Sequence, residues 1–146
     1  MTNIHKFITK SEKETFLLGK KIAKTLKGGE VLALTGNLGA GKTIFTKGLA
    51  AGLGVKEIIT SPTFVVMKVY STPKSIKAIN NFVHIDCYRV GRPEAIEAIG
   101  ATEYFNRLDS IVLVEWAEKI KKILPKKSIR IEISIAKNNQ RKINIK

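Results

Sequence analysis

Between an apolar run and an amphipathic one, the chain carries Gly36-Asn37-Leu38-Gly39-Ala40-Gly41-Lys42-Thr43. Each fixed position of the pattern G-x-x-x-x-G-K-[ST] is met. The preceding segment, Glu30-Val31-Leu32-Ala33-Leu34-Thr35, reads as a buried strand. After the pattern, Ile44, Phe45, Leu49 and Leu53 recur at helical spacing, and Gly52 and Gly54 offer a stop. A strand that passes into a helix through such a turn narrows the possible folds to α/β arrangements.

The residue types carry a chemical meaning. Gly36, Gly39 and Gly41 let the backbone curl, so that amides from Gly36 through Asn37, Leu38, Ala40 and Thr43 point inward at an anion. The helix that opens near Lys42 adds unpaired N–H groups and the positive end of its dipole. Lys42 is placed to reach β- and γ-phosphates, and the Thr43 hydroxyl to bind magnesium. Nucleoside triphosphate binding is the expectation.

A chain of 146 residues, 44% hydrophobic, fits one folded domain with a real core. No apolar run approaches the roughly 18 residues of a membrane span, and the N-terminus lacks a secretory signal. Cys87 is the single cysteine, which excludes an internal disulfide, and with His5 and His84 as the two histidines a zinc site is not expected. A cytoplasmic location is the expectation.

The net charge of +14 is unevenly spread. Residues 28–118 hold 9 basic and 9 acidic side chains, residues 1–27 hold 7 and 2, and residues 119–146 hold 10 and 1. One reading is a basic rim that attracts nucleic acid or an acidic protein. The other is compositional drift, since Lys outnumbers Arg 21 to 5 whereas phosphate-reading surfaces favour Arg.

Along the chain, Lys6–Ile8 reads as an edge strand. Ser11 with Glu14 forms a capping box for a helix running toward Gly28-Gly29. After Thr60-Ser61-Pro62-Thr63, residues 64–70 read as a strand, as do 81–85, leading into Asp86. Pro93 opens a helix with Ala95, Ile96 and Ile99 inward, Ile111–Val114 is a strand buried on both faces, and 116–123 reads as helical. The alternation of Ile129, Ile131, Ile133 and Ile135 marks a half-exposed strand, with Ile143 and Ile145 in a terminal hairpin strand. The expected architecture is one α/β domain spanning 1–146. Its mixed sheet has a parallel core, antiparallel edge strands and helices on both faces.

Such a phosphate loop needs an acidic residue at the end of a neighbouring strand. Glu115 follows Ile-Val-Leu-Val and is assigned to magnesium. Asp86 follows the less uniform Phe-Val-His-Ile and is assigned to water activation or the outer metal shell; either could instead cap a turn. Thr63 has the position of a γ-phosphate-sensing threonine, or of an ordinary turn residue. Trp116, beside Glu115, is expected to pack near the nucleotide. His84 reads as a strand residue and Cys87 as structural.

Gly-Asn-Leu-Gly-Ala-Gly-Lys-Thr, Ser61-Pro62-Thr63-Phe64, His84-Ile85-Asp86-Cys87-Tyr88-Arg89 and Val114-Glu115-Trp116, in that order, resemble the bacterial TsaE (YjeE) proteins. These are small P-loop ATPases of the tRNA threonylcarbamoyladenosine pathway. The resemblance spans about Ser11 to Trp116, and the basic C-terminal segment adds little to it. It implies ATP binding and hydrolysis with Mg2+, and association with TsaB and TsaD, tRNA being met only indirectly through that complex. It further implies that Gly39–Thr43 hold the phosphates and Thr43 with Glu115 the metal. Asp86 and Lys42 would serve hydrolysis, and Ser11-Glu12 would approach the base. Hydrolysis would be slow without the partners. Asn37 stands where the family often has Asp, and Cys87 where an aliphatic residue is usual; Asn37 thereby removes a negative charge near the phosphates.

Two rival classes remain at this level. A small-molecule kinase would use Arg89, Arg92 and Arg107 as lid arginines, and an RNA-binding module would hold ATP only as a structural ligand. A GTPase is excluded by the absence of Asn-Lys-x-Asp and Asp-x-x-Gly segments.

Overall fold

Among the described residues, runs of β-branched and aliphatic residues, each closed by a polar or glycine-rich turn, produce seven strands. These are β1 (His5–Thr9), β2 (Val31–Thr35), β3 (Met67–Ser71), β4 (Asn81–Asp86), β5 (Ser110–Glu115), β6 (Ile129–Ile135) and β7 (Arg141–Ile145). The computed structural model describes residues 3–61, 66–73 and 78–146. The strands form one sheet in the order β1-β7-β6-β2-β5-β4-β3. The central four, β6, β2, β5 and β4, run parallel. β7 and β1 on one side and β3 on the other add antiparallel pairs. The parallel core with antiparallel edges is the expected α/β arrangement.

The described residues also form three α-helices, α1 (Glu12–Ala23), α2 (Lys42–Gly52) and α3 (Pro93–Ala98), and short 3-10 turns at Ala101–Asn106, Ala117–Ile120 and Lys137–Asn139. Strand alternation sends side chains to two cores. On one face α1 and α2 cover Leu32, Leu34, Leu113, Ile131 and Ile133, with Phe45 and Leu49 of α2 fully buried. On the other, Ile96 of α3 with Phe105 and Ile120 covers Val83, Ile85, Val112 and Val114. Burying each such side chain stabilises the fold by about 1.5–3 kcal/mol. No residue of β6, β7 or β1 belongs to the second core, so that core stops at β2.

Local departures from expectation have physical causes. Only Ile96 of α3 turns inward; Ala95 is exposed and Ile99 is 44% exposed, because a six-residue helix offers one narrow face. The predicted helix over 116–123 is a 3-10 turn at Ala117–Ile120, entered through Trp116 in a left-handed conformation with φ 56°. His84 does not weaken β4, where it is buried among Phe82, Val83 and Ile85. The predicted strand at 64–70 begins at Met67, and residues 64 and 65 lie outside the described residues. At α1, Ser11 Oγ accepts from Glu14 N–H as expected. The reciprocal bond runs instead from Lys10 N–H to Glu14.

Helices α1 and α2 approach at backbone distance. A Cβ at Gly48 would sit 2.0 Å from the Phe16 carbonyl oxygen, and one at Gly19 2.4 Å from that of Phe45. Gly48→Ala therefore forces the helices apart and is expected to cost about 2–3 kcal/mol in urea unfolding. A loss below about 0.5 kcal/mol would contradict the close packing.

Candidate functional site

The glycine-rich turn leaves β2 at the carboxyl edge of the sheet and opens α2. Gly36, Gly39 and Gly41 take φ values of 150°, 78° and 103°, in the region where L side chains are strained. Gly36 is further constrained, because a Cβ there would lie 2.4 Å from the Ile133 carbonyl oxygen. Gly41 is the N-cap of α2 and uses no side-chain cap, so the first amides of the helix remain available to an anion.

The parallel register brings the acids alongside. Leu34 pairs with Glu115, and Glu115 pairs with Asp86 across β5 and β4. Both carboxylates are nearly buried, at 4% and 5% exposure. Glu115 accepts from Thr46 Oγ at 3.2 Å and faces His84 Nε2 at 3.4 Å. Asp86 accepts from Ser61 Oγ at 2.8 Å and from Tyr88 N–H at 2.9 Å, so it does cap the turn that follows β4. Ser61 thereby ties the segment entering Ser-Pro-Thr to the site; Thr63 itself lies outside the described residues.

Lys42 is buried at the base of the turn. Its ammonium donates to the Gly36 carbonyl and lies 3.6 Å from the centroid of the Trp116 ring. Burial lowers its pKa from the usual lysine value, against the opposing pull of Glu115, Glu118 and Asp86. Trp116 in turn meets the Tyr88 ring at 5.1 Å. Trp116 and Glu115 line the same cavity.

These groups surround a cavity of about 490 Å³. Its lining includes Ser11, Glu12, Leu38, Gly39, Gly41, Lys42, Thr43, Asp86, Glu115 and Trp116. Gly36, Asn37 and Ala40 shape the turn from behind: the Asn37 carbonyl accepts from Ala40 N–H at 3.1 Å, and Ala40 is 1% exposed. Among the described residues no three His, Cys, Asp or Glu side chains converge as a metal site. The hard oxygen donors at hand are the Thr43 hydroxyl and the two carboxylates, a set that suits magnesium.

Several contributors were not anticipated. Arg141 on β7 donates to the Gly39 carbonyl at 3.1 Å and, with Asn139, closes one wall of the cavity. No local signal announces it, because it arrives through strand pairing about a hundred residues away. Thr46, one helical turn after Lys42, was legible from spacing alone. Arg107, one of the arginines a kinase lid would need, is paired with Asp109 at 2.9 Å before β5 begins, at the opposite end of the strand from Glu115.

Fold and site together define a single α/β domain with a mixed seven-stranded sheet and a glycine-rich strand-to-helix turn at its carboxyl edge. The family model "Threonylcarbamoyl adenosine biosynthesis protein TsaE" matches residues 9–143, and the chain belongs to that family. The match includes the basic segment after Trp116, which therefore contributes to the family likeness more than the motifs suggested. The chain is 40% identical over 138 residues to the tRNA threonylcarbamoyladenosine biosynthesis protein TsaE of Bacillus subtilis, covering 94% of this chain and 82% of that protein. It is 40% identical over 147 aligned positions to the protein of that name from Aquifex aeolicus, covering 99% and 98%. Among solved structures it resembles Bacillus subtilis YdiB with a TM-score of 0.81 and 36% identity, covering 99% of this chain and 86% of that one.

Cys87 lies next to Asp86, fully buried, and desolvation with the Asp86 charge pushes its thiol up to about 12. The thiol is then neutral in the folded protein throughout pH 7–9. A maleimide or disulfide reagent at pH 8 should leave Cys87 unmodified until the chain is unfolded in denaturant. Modification of the native protein at the rate of the unfolded one would refute that burial.

Proposed function

We propose that this chain is the Mg2+-dependent ATP-binding and ATP-hydrolysing component of the bacterial machinery that makes threonylcarbamoyladenosine on tRNA. In this reading it acts in the cytoplasm and supports turnover of a TsaB–TsaD complex, through which tRNA is met indirectly. The observation that carries the reading is the convergence of the turn amides, Lys42, Thr43, Asp86 and Glu115 on one cavity.

The chemistry follows from that arrangement. Amides of the turn between Gly36 and Thr43, apart from that of Ala40, which the Asn37 carbonyl holds, would cradle the phosphates, with α2 directing its positive end at them. Lys42 would leave the Gly36 carbonyl for the β- and γ-phosphates, exchanging a neutral acceptor for a charged one. Thr43 and Glu115 would hold Mg2+, which supplies charge neutralisation between the phosphate oxygens. Asp86, positioned by Ser61 and Tyr88, would orient water and receive its proton. Trp116 would confine Lys42, and Ser11 with Glu12 would border the nucleoside. Thr63 would sense the γ-phosphate.

Lys42→Ala should reduce ATP turnover by on the order of 100-fold or more, measured by phosphate release. Glu115→Ala should raise the magnesium concentration needed for half-maximal turnover while leaving the thermal unfolding midpoint within a few degrees. Normal magnesium dependence in that variant would remove Glu115 from the metal. The isolated chain is expected to hydrolyse ATP slowly and to speed up with TsaB and TsaD. Multi-turnover tRNA modification that proceeds equally well without this chain or ATP would refute the reading.

A further inference from the structure

Six cations surround a groove of about 580 Å³ that shares no lining residue with the cavity described above. Lys6 comes from β1, Arg130 from β6, Lys142 and Lys146 from β7 and its end, and Lys121 and Lys126 from the segment between β5 and β6. Glu118 and Glu132 are the acidic side chains on the same lining. All six cations are exposed, and neither the Arg107–Asp109 ion pair nor the His84–Glu115 contact involves any of them.

The topology explains how this charge accumulates. Lys6 lies in the basic N-terminal segment and the other five in the basic C-terminal one. Pairing of β1 with β7 and of β7 with β6 fuses those two ends into one surface. It is the face on which the second core stops at β2, so polar and charged side chains of β6, β7 and β1 stand there without a helix over them.

We propose that this face is a second binding site, for the phosphate backbone of a folded RNA, a direct contact in addition to the indirect one through the TsaB–TsaD complex. Arg130 stands opposite Lys146, and Lys6, opposite Asn144, lies diagonally between Lys142 and Lys146 of the neighbouring strand, so three adjacent strands carry four cations on one face. Five of the six cations are lysines, which meet phosphate as point charges without arginine's bidentate fork, so the attraction rests on their convergence in one groove rather than on residue type. Among the described residues no aromatic side chain lines the groove, so bases have nothing there to stack on and recognition is independent of sequence. An acidic amphipathic peptide is less well served, because it needs an apolar stripe. Of the groove's apolar lining, Ala33, Ala117 and Ile131 are buried in the floor, and the accessible Ile4 and Leu124-Pro125 come from separate segments rather than one stripe. The family's own work, by its printed description, concerns a tRNA nucleoside. The inference does not depend on ATP chemistry at the other site.

The test is fluorescence anisotropy with a labelled, unmodified tRNA transcript and the full chain, without nucleotide, from 50 to 200 mM salt. Binding should weaken with a log–log salt slope approaching about −5, set by six phosphate contacts. The triple variant Lys6→Gln/Arg130→Gln/Lys142→Gln should weaken binding at least ~10-fold and reduce the slope by about 2–3. Lys121→Gln/Lys126→Gln should do the same in smaller measure. A control, Lys20→Gln/Lys21→Gln/Lys56→Gln, removes equal charge from exposed positions elsewhere and should leave the affinity within about twofold. Equal weakening by control and groove triples would reduce the effect to net charge and overturn the site. Absence of binding at 50 mM salt would also overturn it. Displacement of the tRNA by polyglutamate as effectively as by unlabelled tRNA of equal charge would reassign the groove to an acidic polypeptide.

Discussion

The parallel register of β2, β5 and β4 is the constraint on which the site depends. Because Leu34 stands beside Glu115 and Glu115 beside Asp86, the turn leaving β2 passes directly over two carboxylates that end their own strands. A slip of one residue would send each acid to the opposite face of the sheet. Registry is held by aliphatic side chains on both faces, so the same burial that stabilises the sheet also aims the acids. The glycines of the turn then supply a shape that no other residue adopts cheaply, most clearly at Gly36 against the Ile133 carbonyl.

The second feature is the concentration of buried charge. Lys42, Asp86 and Glu115 are all nearly withdrawn from water, and a buried charge is costly unless it is paired and hydrogen-bonded. Each has partners: Gly36 and the Trp116 ring for Lys42, Ser61 and Tyr88 for Asp86, Thr46 for Glu115. These partners are mostly neutral, so opposite charges sit near one another without closing into a direct ion pair. Such an arrangement is ready to exchange neutral acceptors for a charged ligand. Within the described residues, His84 is the loose end, with neither ring nitrogen hydrogen-bonded although the ring lies close to Glu115.

Much of this was legible in the chain itself, for local reasons. The turn, its strand and its helix are contiguous, and Ile111–Val114 announces a strand buried on both sides that must end at Glu115. The alternation of Ile129 to Ile135 likewise marked β6, and Ser11 its helix. What escaped was non-local or conformational. Arg141 reaches Gly39 only because β7 pairs with β6, and periodicity says nothing about which strands become neighbours. Trp116 follows β5 in a left-handed conformation, which residue preferences do not favour, and the segment after it is a 3-10 turn rather than the expected helix. The uneven charge was visible as two basic ends; that they form one surface required the β1–β7–β6 pairing.

The central claim is that the amides of the glycine turn, with Lys42 beneath them, form a cup for a polyphosphate. Isothermal titration calorimetry of the full chain with ATP in the presence of magnesium tests it most directly. The account predicts saturable binding at one site, lost in Gly41→Ala and Lys42→Ala, whose native folds are checked by circular dichroism. Absence of any heat of association with the native chain, or unchanged affinity in both folded variants, would contradict it.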